Sequence, residues 1–319
     1  MNKNRKTLKM PVRYLMNAVL VVLLFLALSY MTGNMLSTYQ NKVLMTVGIN
    51  IILAVSLNVA TGYLGQLPLG HAGFMAVGAY VSAIVTMKLG LPFIVAIMAG
   101  ACAAGLLGLL IGLPTLRLSG DYLAIATLGL GEIIRITILN INYIGGASGF
   151  MGIPRYTNFA WVFFVCLFVL FFIKNFINSS HGRACISIRE NEVAAEAMGI
   201  DTTKYKVLAF TLGAAFAGVA GALFAHYFYV IHPASFTFIS SFNYLTMVVL
   251  GGLGSITGSI AGAVILTFIS AALASWPEWR MIIYSVMLII LMLYRPQGLF
   301  GNIELVNMNI FKRFKGGDK

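Results

Sequence analysis

The run Phe159-Ala160-Trp161-Val162-Phe163-Phe164-Val165-Cys166-Leu167-Phe168-Val169-Leu170-Phe171-Phe172-Ile173-Lys174-Asn175-Phe176-Ile177 carries a single charge, Lys174, near its end. A helix that crosses the hydrocarbon core of a bilayer needs about 20 mostly apolar residues. This stretch has that length, and its apolar residues follow one another without the alternation of a half-buried strand. Nine further runs of the same kind lie at 14–31, 43–60, 70–87, 91–113, 121–139, 207–230, 238–254, 258–275 and 280–294. The chain therefore reads as an all-α polytopic membrane protein with about ten transmembrane helices. Glycine is so frequent in 70–87 that this run is expected to be a full span or a broken, re-entrant element.

Composition agrees. Of 319 residues, 60% are hydrophobic and 9% charged, whereas soluble domains carry about 25% charged residues. With 21 Lys and Arg against 9 Asp and Glu, the net charge is +12. In a soluble protein that would point to nucleic acid. Here the cations gather at the two ends and in one loop, as the positive-inside rule requires of cytosolic segments, and no nucleic-acid partner is expected. Cys102, Cys166 and Cys185 have neither disulfide nor metal spacing and read as small packing residues. His181, His226 and His232 have no ligand-like spacing, so neither metal nor cofactor is expected.

Charge also orients the chain. Lys3, Arg5, Lys6, Lys9 and Arg13 precede the first run, which is too long for a cleaved leader and reads as a signal-anchor. Lys174, Arg183, Arg189, Lys204 and Lys206 surround the segment 178–206, and Lys312, Arg313, Lys315 and Lys319 close the chain. Six spans separate the first cluster from the second and four separate the second from the third. Both counts are even, so the 1–13 N-terminus, the 178–206 loop and the 295–319 tail all fall in the cytosol. The turn-rich segment 140–158 then faces the opposite side. The whole of 1–319 reads as one transmembrane domain with no appended soluble domain and no G-x-x-x-x-G-K-[ST] phosphate loop. Ten spans allow a five-plus-five inverted repeat.

The longest cytosolic loop contains Arg189-Glu190-Asn191-Glu192-Val193-Ala194-Ala195-Glu196-Ala197-Met198-Gly199-Ile200-Asp201. Glu190 to Met198 has the propensity of a short helix, Gly199 is a natural C-cap, and Asp201 or Thr202 can cap the next helix. Ala194, Ala195 and Met198 are read as one small apolar face able to enter a groove on a partner. The alternative is an ordinary interfacial loop.

This loop resembles the cytosolic E-A-A-x-x-x-G loop of ABC importer permeases. Ala194, Ala195 and Gly199 match, while Val193 stands where that pattern has its glutamate, Glu192 precedes it, and the downstream proline is absent. Three more stretches, Thr61-Gly62-Tyr63-Leu64-Gly65-Gln66-Leu67-Pro68-Leu69-Gly70-His71-Ala72-Gly73-Phe74, Leu116–Gly129 and Gly251-Gly252-Leu253-Gly254-Ser255, resemble in order and spacing the LivM-type permease subunits of branched-chain amino acid ABC importers, over roughly 43–300. Pro68 occupies a position where that family is expected to have serine. The resemblance implies a permease domain without ATPase activity of its own in a bacterial cell (inner) membrane. It would work with a homologous second permease chain, two cytosolic ABC ATPase subunits and an extracytosolic substrate-binding protein. Arg189, Glu192, Ala194, Ala195, Glu196 and Gly199 would form the ATPase-coupling region. The implied cargo is leucine, isoleucine or valine; urea or short amides are the alternative within the family, and a self-sufficient secondary transporter the alternative outside it.

Other polar groups fall inside spans. Gly62, Gly65, Gly70, Gly73 and Gly78 bracket Gln66, Pro68 and His71, a run that cannot be helical throughout. Either Gln66 and His71 stand beside a translocation path, as broken helices often do, or the run is a cytosolic turn. Glu132 and Arg135 share a helix face at i, i+3, as a buried structural pair or as contacts for a zwitterion in transit. Arg117 and Asp121 are expected to anchor a helix at the bilayer boundary. Gly254, Gly258 and Gly262 form a small-residue packing stripe, facing either another helix of this chain or the second permease. Trp276 and Trp279 suit an interfacial belt.

Overall fold

A computed structural model of the chain describes residues 22, 23, 25–33, 35–116, 118, 120–274, 276, 279, 282, 283, 285, 286, 289, 293, 294, 298 and 299. Residues 1–13, Arg117 and most of the 295–319 tail lie outside them, as do parts of the first and last expected spans. Ten helices are defined: α1 (Thr38–Asn58), prolonged by a π-turn at Val59–Tyr63, α2 (His71–Met87), α3 (Phe93–Thr115), α4 (Asp121–Asn140), α5 (Phe159–Asn178), α6 (Ser180–Glu190), α7 (Glu192–Ala197), α8 (Thr202–Phe228), α9 (Phe238–Gly251) and α10 (Ile256–Ala272). The described positions at 25–33 and at 282, 283, 285, 286, 289, 293 and 294 are also helical.

Among the described residues five elements are long and apolar enough to cross a membrane: α1 with its π-turn, α3, α4, α5 and α8, of 20 to 27 residues. Their starts follow from caps. Ser37 and Gln40 close a reciprocal capping box at the head of α1, and Asp201 accepts from the Lys204 N–H at 3.0 Å to start α8. The helix therefore begins at Thr202, ahead of the apolar run expected at 207–230.

Run 70–87 is not broken internally. It forms one continuous helix, α2, of 17 residues, about 25 Å long at 1.5 Å per residue. The irregular backbone lies before it, at 64–70. Segments 229–237 and 252–255 are likewise non-α and flank α9, which has only 14 residues.

Burial sorts the helices. In α1 and α8, 72% of the most apolar window is buried, against 28% in α3, 17% in α4 and 22% in α5. Helices apolar on all sides belong at the centre of a membrane bundle. Together with α2, α1 and α8 make that centre; α3 packs on α2 and α8, the α9–α10 pair on α1, α5 on α1, and α4 across α2. Ile94, Met98, Leu106 and Leu110 of α3 and Phe164, Phe168 and Phe171 of α5 stay exposed, a surface that lipid would cover. At the end opposite α6 and α7, Phe150–Met151 pairs antiparallel with Val230–Ile231, joining the 140–158 loop to the segment after α8.

Glycine allows the central helices to touch. A Cβ on Gly78 would lie 2.2 Å from the Gly218 carbonyl oxygen, one on Gly100 2.8 Å from that of Gly78, and one on Gly218 2.6 Å from that of Gly100. So α2, α3 and α8 meet backbone to backbone at one point. Gly218→Ala is expected to destabilise the protein by about 1–3 kcal/mol through overpacking. Gly129→Ala, on α4 where an added Cβ meets nothing within 4 Å, should be neutral or gain up to about 1 kcal/mol in helix propensity. Thermal unfolding in detergent compares the two.

Candidate functional site

The chain leaves the bundle at α6 and α7. Ser179 accepts from the Gly182 N–H at 3.3 Å to cap α6, and Cys185 and Ile188 turn inward. Burial pushes the Cys185 thiol up to about 11, so it is an inert packing group. The helix does not run from Glu190 to Met198 as the propensities suggested. It starts at Ser180 and breaks at Asn191, whose backbone is extended (φ −163, ψ 111) and whose side chain accepts from the Ala194 N–H at 3.0 Å. Asparagine competes with the helix for its own backbone and restarts it as an N-cap. Gly199 ends α7 with φ +83, where the Ile200 N–H reaches the Ala195 carbonyl at 3.0 Å, a glycine stop of the Schellman type.

The break resets the phase of α7. Ala195 is 4% exposed and packs into the body, whereas Val193 is 76% and Met198 83% exposed. The outward apolar face is Val193, Ala194 and Met198; the expectation that Ala195 shares it is corrected. The acidic residues of α7 also work inward. Glu192 forms an ion pair with Lys206, whose side chain is 5% exposed, and Glu196 accepts from the Thr202 hydroxyl at 2.7 Å. The short helix is thereby fixed to the first turns of α8.

Arg189, at the end of α6, reaches away from α7. Its Nη1 donates to the Gly62 carbonyl at 2.8 Å, while Nε and Nη2 donate to Glu190 at 3.1 and 2.5 Å. Gly62 lies in the π-turn, against the turn between α9 and α10. The wholly buried Asn58 amide accepts from the Gly254 N–H and donates to the Ser255 carbonyl, both at 3.0 Å. Three segments far apart in sequence, 58–65, 189–190 and 252–255, thus meet at one point.

The remaining predicted residues separate. Gln66 lies beside this junction, next to Gly65, and its N–H donates to the Ala60 carbonyl at 3.0 Å. His71 is 4% exposed and shares a 3.0 Å hydrogen bond with Ser56 in a small cavity lined also by Pro68, Phe74 and Phe210. Glu132 bonds Arg135 at 2.6 Å and accepts at 3.0 Å from the Phe238 N–H, the first of α9. A carboxylate at a helix N-terminus satisfies a free donor and the positive end of the dipole, so both its oxygens have structural work. Gly258 and Gly262 face α9 within this chain: Cβ atoms there would lie 2.5 Å from the Gly251 carbonyl oxygen and 2.1 Å from that of Met247. Gly254 is not on that stripe. It sits in the preceding turn at φ +78.

Sequence reasoning passed over Asn58 and Ser241 and the ties made by Thr127 and Lys206. Thr127 accepts from the Leu69 N–H at 3.0 Å, in the 64–70 break, and Ser241 from the Ala72 N–H at 2.9 Å, in the first turn of α2. Their signal was there: an asparagine in an apolar run of membrane length is costly unless it bonds something.

Apolar spans joined by buried, hydrogen-bonded breaks make this a multi-pass α-helical membrane protein, and comparison with known proteins places it in the transport-permease class. The chain belongs to the family described as branched-chain amino acid transport system, permease component, whose model matches residues 39–292. It is 37% identical over 286 residues to the high-affinity branched-chain amino acid transport system permease protein LivM of Salmonella typhimurium strain LT2, covering 79% of this chain and 67% of that protein. It is 27% identical to the probable branched-chain amino acid transport permease LivM of Methanocaldococcus jannaschii, covering 86% and 96%. It is 26% identical to the high-affinity permease protein LivH of Escherichia coli K12, covering 80% and 92%. No solved structure matches the chain.

Two stability tests follow. Glu192→Ala leaves the buried Lys206 ammonium unpaired and, with Glu192 itself 41% exposed, should cost about 1–3 kcal/mol; adding Lys206→Met should recover part of that, as thermal unfolding of the single and double variants will show. Glu132→Ala, which strips both Arg135 and the α9 terminus of their partner, should destabilise by about 1–3 kcal/mol, more than Arg135→Ala does.

Proposed function

We propose that this chain is the membrane-spanning half of an ATP-driven importer of leucine, isoleucine and valine in a bacterial cell membrane. Its α7 is the site where cytosolic ABC ATPases dock. The observation that carries this reading is the two-sided character of α7: Glu192, Ala195 and Glu196 fasten it to the body, while Val193, Ala194 and Met198 present a small apolar surface outward. Val193 and Met198 are 76% and 83% exposed, and with Ala194 they supply an apolar contact that a docking partner would bury. The parity of basic clusters supports a cytosolic location for this end, with both termini on the same side and the 140–158 loop facing the substrate-binding protein.

A homologous second permease completes the pathway. Escherichia coli K12 has both a LivM and a LivH protein similar to this chain, which supports a pair of unlike permeases. The packing supports a five-plus-five inverted repeat: α3 lies along α8 as α10 lies along α1, and α2 pairs with α3 as α9 pairs with α10. Closure of the ATPase pair on ATP would move the docked helices and switch the side to which the pathway opens.

Met198→Glu and Ala194→Arg alter exposed side chains, so folding should survive. Each should reduce co-purification of the ATPase subunits by at least about tenfold, near 1.4 kcal/mol; undiminished binding would place the docking surface elsewhere. Uptake by the reconstituted assembly should favour leucine, isoleucine and valine over urea and short amides. Accumulation by this chain alone would indicate a secondary transporter instead.

A further inference from the structure

We infer that Arg189 is the positioning residue through which movement of the docked α6–α7 pair reaches the centre of the membrane bundle. This rests on the ATPase-docking reading above, and it assigns Arg189 no contact with the ATPase itself.

The guanidinium bonds α6 to the π-turn of α1 and lies beside the 252–255 turn. Nη1 holds the Gly62 carbonyl at 2.8 Å, an acceptor in the π-turn where α1 ceases to be α-helical. The same nitrogen lies 2.9 Å from where a Cβ of Gly254 would be, and Arg189 Cγ lies 2.9 Å from that of Gly65. Inside the junction a Cβ on Gly62 would stand 1.9 Å from Asn58 Oδ1 and 2.1 Å from the Gly254 N. A side chain at any of these glycines would clash, so the backbone of the π-turn and of the 252–255 turn lies close around the guanidinium. A displacement of Arg189 would therefore pull on the π-turn through its bond to the Gly62 carbonyl, and the π-turn is itself bonded to the 252–255 turn through Asn58. Glu190 grips the other two donor positions at 3.1 and 2.5 Å, which leaves Nη1 aimed at Gly62.

The second route out of α7 is different. Glu192–Lys206 and Glu196–Thr202 lead to α8 alone. A pull on the α6–α7 pair therefore reaches α8 through the Glu192 and Glu196 bonds and the π-turn of α1 through the Arg189 bond, and the second tie adds to the packing of α1 against α8.

The test uses the full assembly of this chain with its permease partner and ATPases in proteoliposomes. It reads substrate imported per ATP hydrolysed, together with ATPase co-purification and thermal stability. Arg189→Ala should retain the ATPases and lower the transport-to-hydrolysis ratio at least tenfold. Arg189→Lys, with one donor able to reach Gly62, should restore part of it. Asn58→Ala, remote from any docking surface, should lower the same ratio, and the double variant should be no worse than the poorer single one. An unchanged ratio in Arg189→Ala would overturn the inference, and so would additive losses in the double variant. Loss of the ATPases from Arg189→Ala would make it a docking residue, overturning the inference while leaving the proposed function intact. ATPases that fail to bind even the unaltered chain would overturn the proposed function. If Arg189→Ala does not reach the membrane, Arg189→Lys decides: a ratio equal to that of the unaltered chain would show that the forked geometry is not needed and would sink the proposal.

Discussion

A backbone that leaves the α-helix inside a bilayer must find its hydrogen-bond partners in protein, because the hydrocarbon offers none. The organisation of this chain follows from that constraint. The stretch before α2 leans on the Ala60 carbonyl and the Thr127 hydroxyl, and the first turn of α2 on the Ser241 hydroxyl. The turn between α9 and α10 leans on the Asn58 amide. The head of α9 leans on Glu132. Apart from Ala60, the partner comes from a helix remote in sequence. Each of these breaks is therefore also a tie between distant elements, and Asn58, Thr127, Ser241 and Glu132 are engaged in making those ties.

This explains what could be read from the amino-acid order. Spans follow from local composition, since a run such as 159–177 is long and apolar whatever surrounds it, and it appears as α5 within one residue of its expected end. Caps are similarly local: Gly199 and Asp201 need only their near neighbours. Glu132 is different. Its spacing to Arg135 was visible, but its second partner, the Phe238 N–H, lies 106 positions away. Nothing in one sequence says which distant donor a carboxylate will meet, so a structural cap and a substrate contact look alike. Gly254 posed the converse problem. Its four-residue spacing to Gly258 and Gly262 imitates a helix stripe, yet it precedes the helix and is needed for a turn at positive φ.

The segment 189–199 shows how a single residue can rotate an inference. Adjacent helical residues are about 100° apart, so Ala194 and Ala195 cannot both sit at the middle of one face. Which of them points outward depends on where the helix starts. Helix propensity alone favoured an unbroken run from Glu190, but Asn191 takes an extended conformation and restarts the helix one residue later. Ala195 then packs inward and Met198 projects. The amphipathic character was legible; its phase was not, because phase is set by a cap whose choice between helix interior and helix start rests on tertiary packing.

The glycine contacts decide how such a bundle can move. Where Gly78, Gly100 and Gly218 bring α2, α3 and α8 backbone to backbone, no side chains remain at the crossing to change rotamer and absorb a shear. Tightly packed elements of this kind tend to switch between discrete arrangements rather than deform smoothly. Displacement arriving at the foot of α8 should therefore carry α2 and α3 along as one body. On the other side, the α9–α10 pair is welded at Gly251, Gly258 and Gly262 and packs on α1. The two bodies touch along α1 and α8, and the end bearing α6 and α7 is bonded to both. An outward-facing and an inward-facing state would then differ chiefly in the angle between two rigid groups of helices, and the hinge between them has to be sought among the irregular segments, where backbone hydrogen bonds to side chains can be exchanged at modest cost.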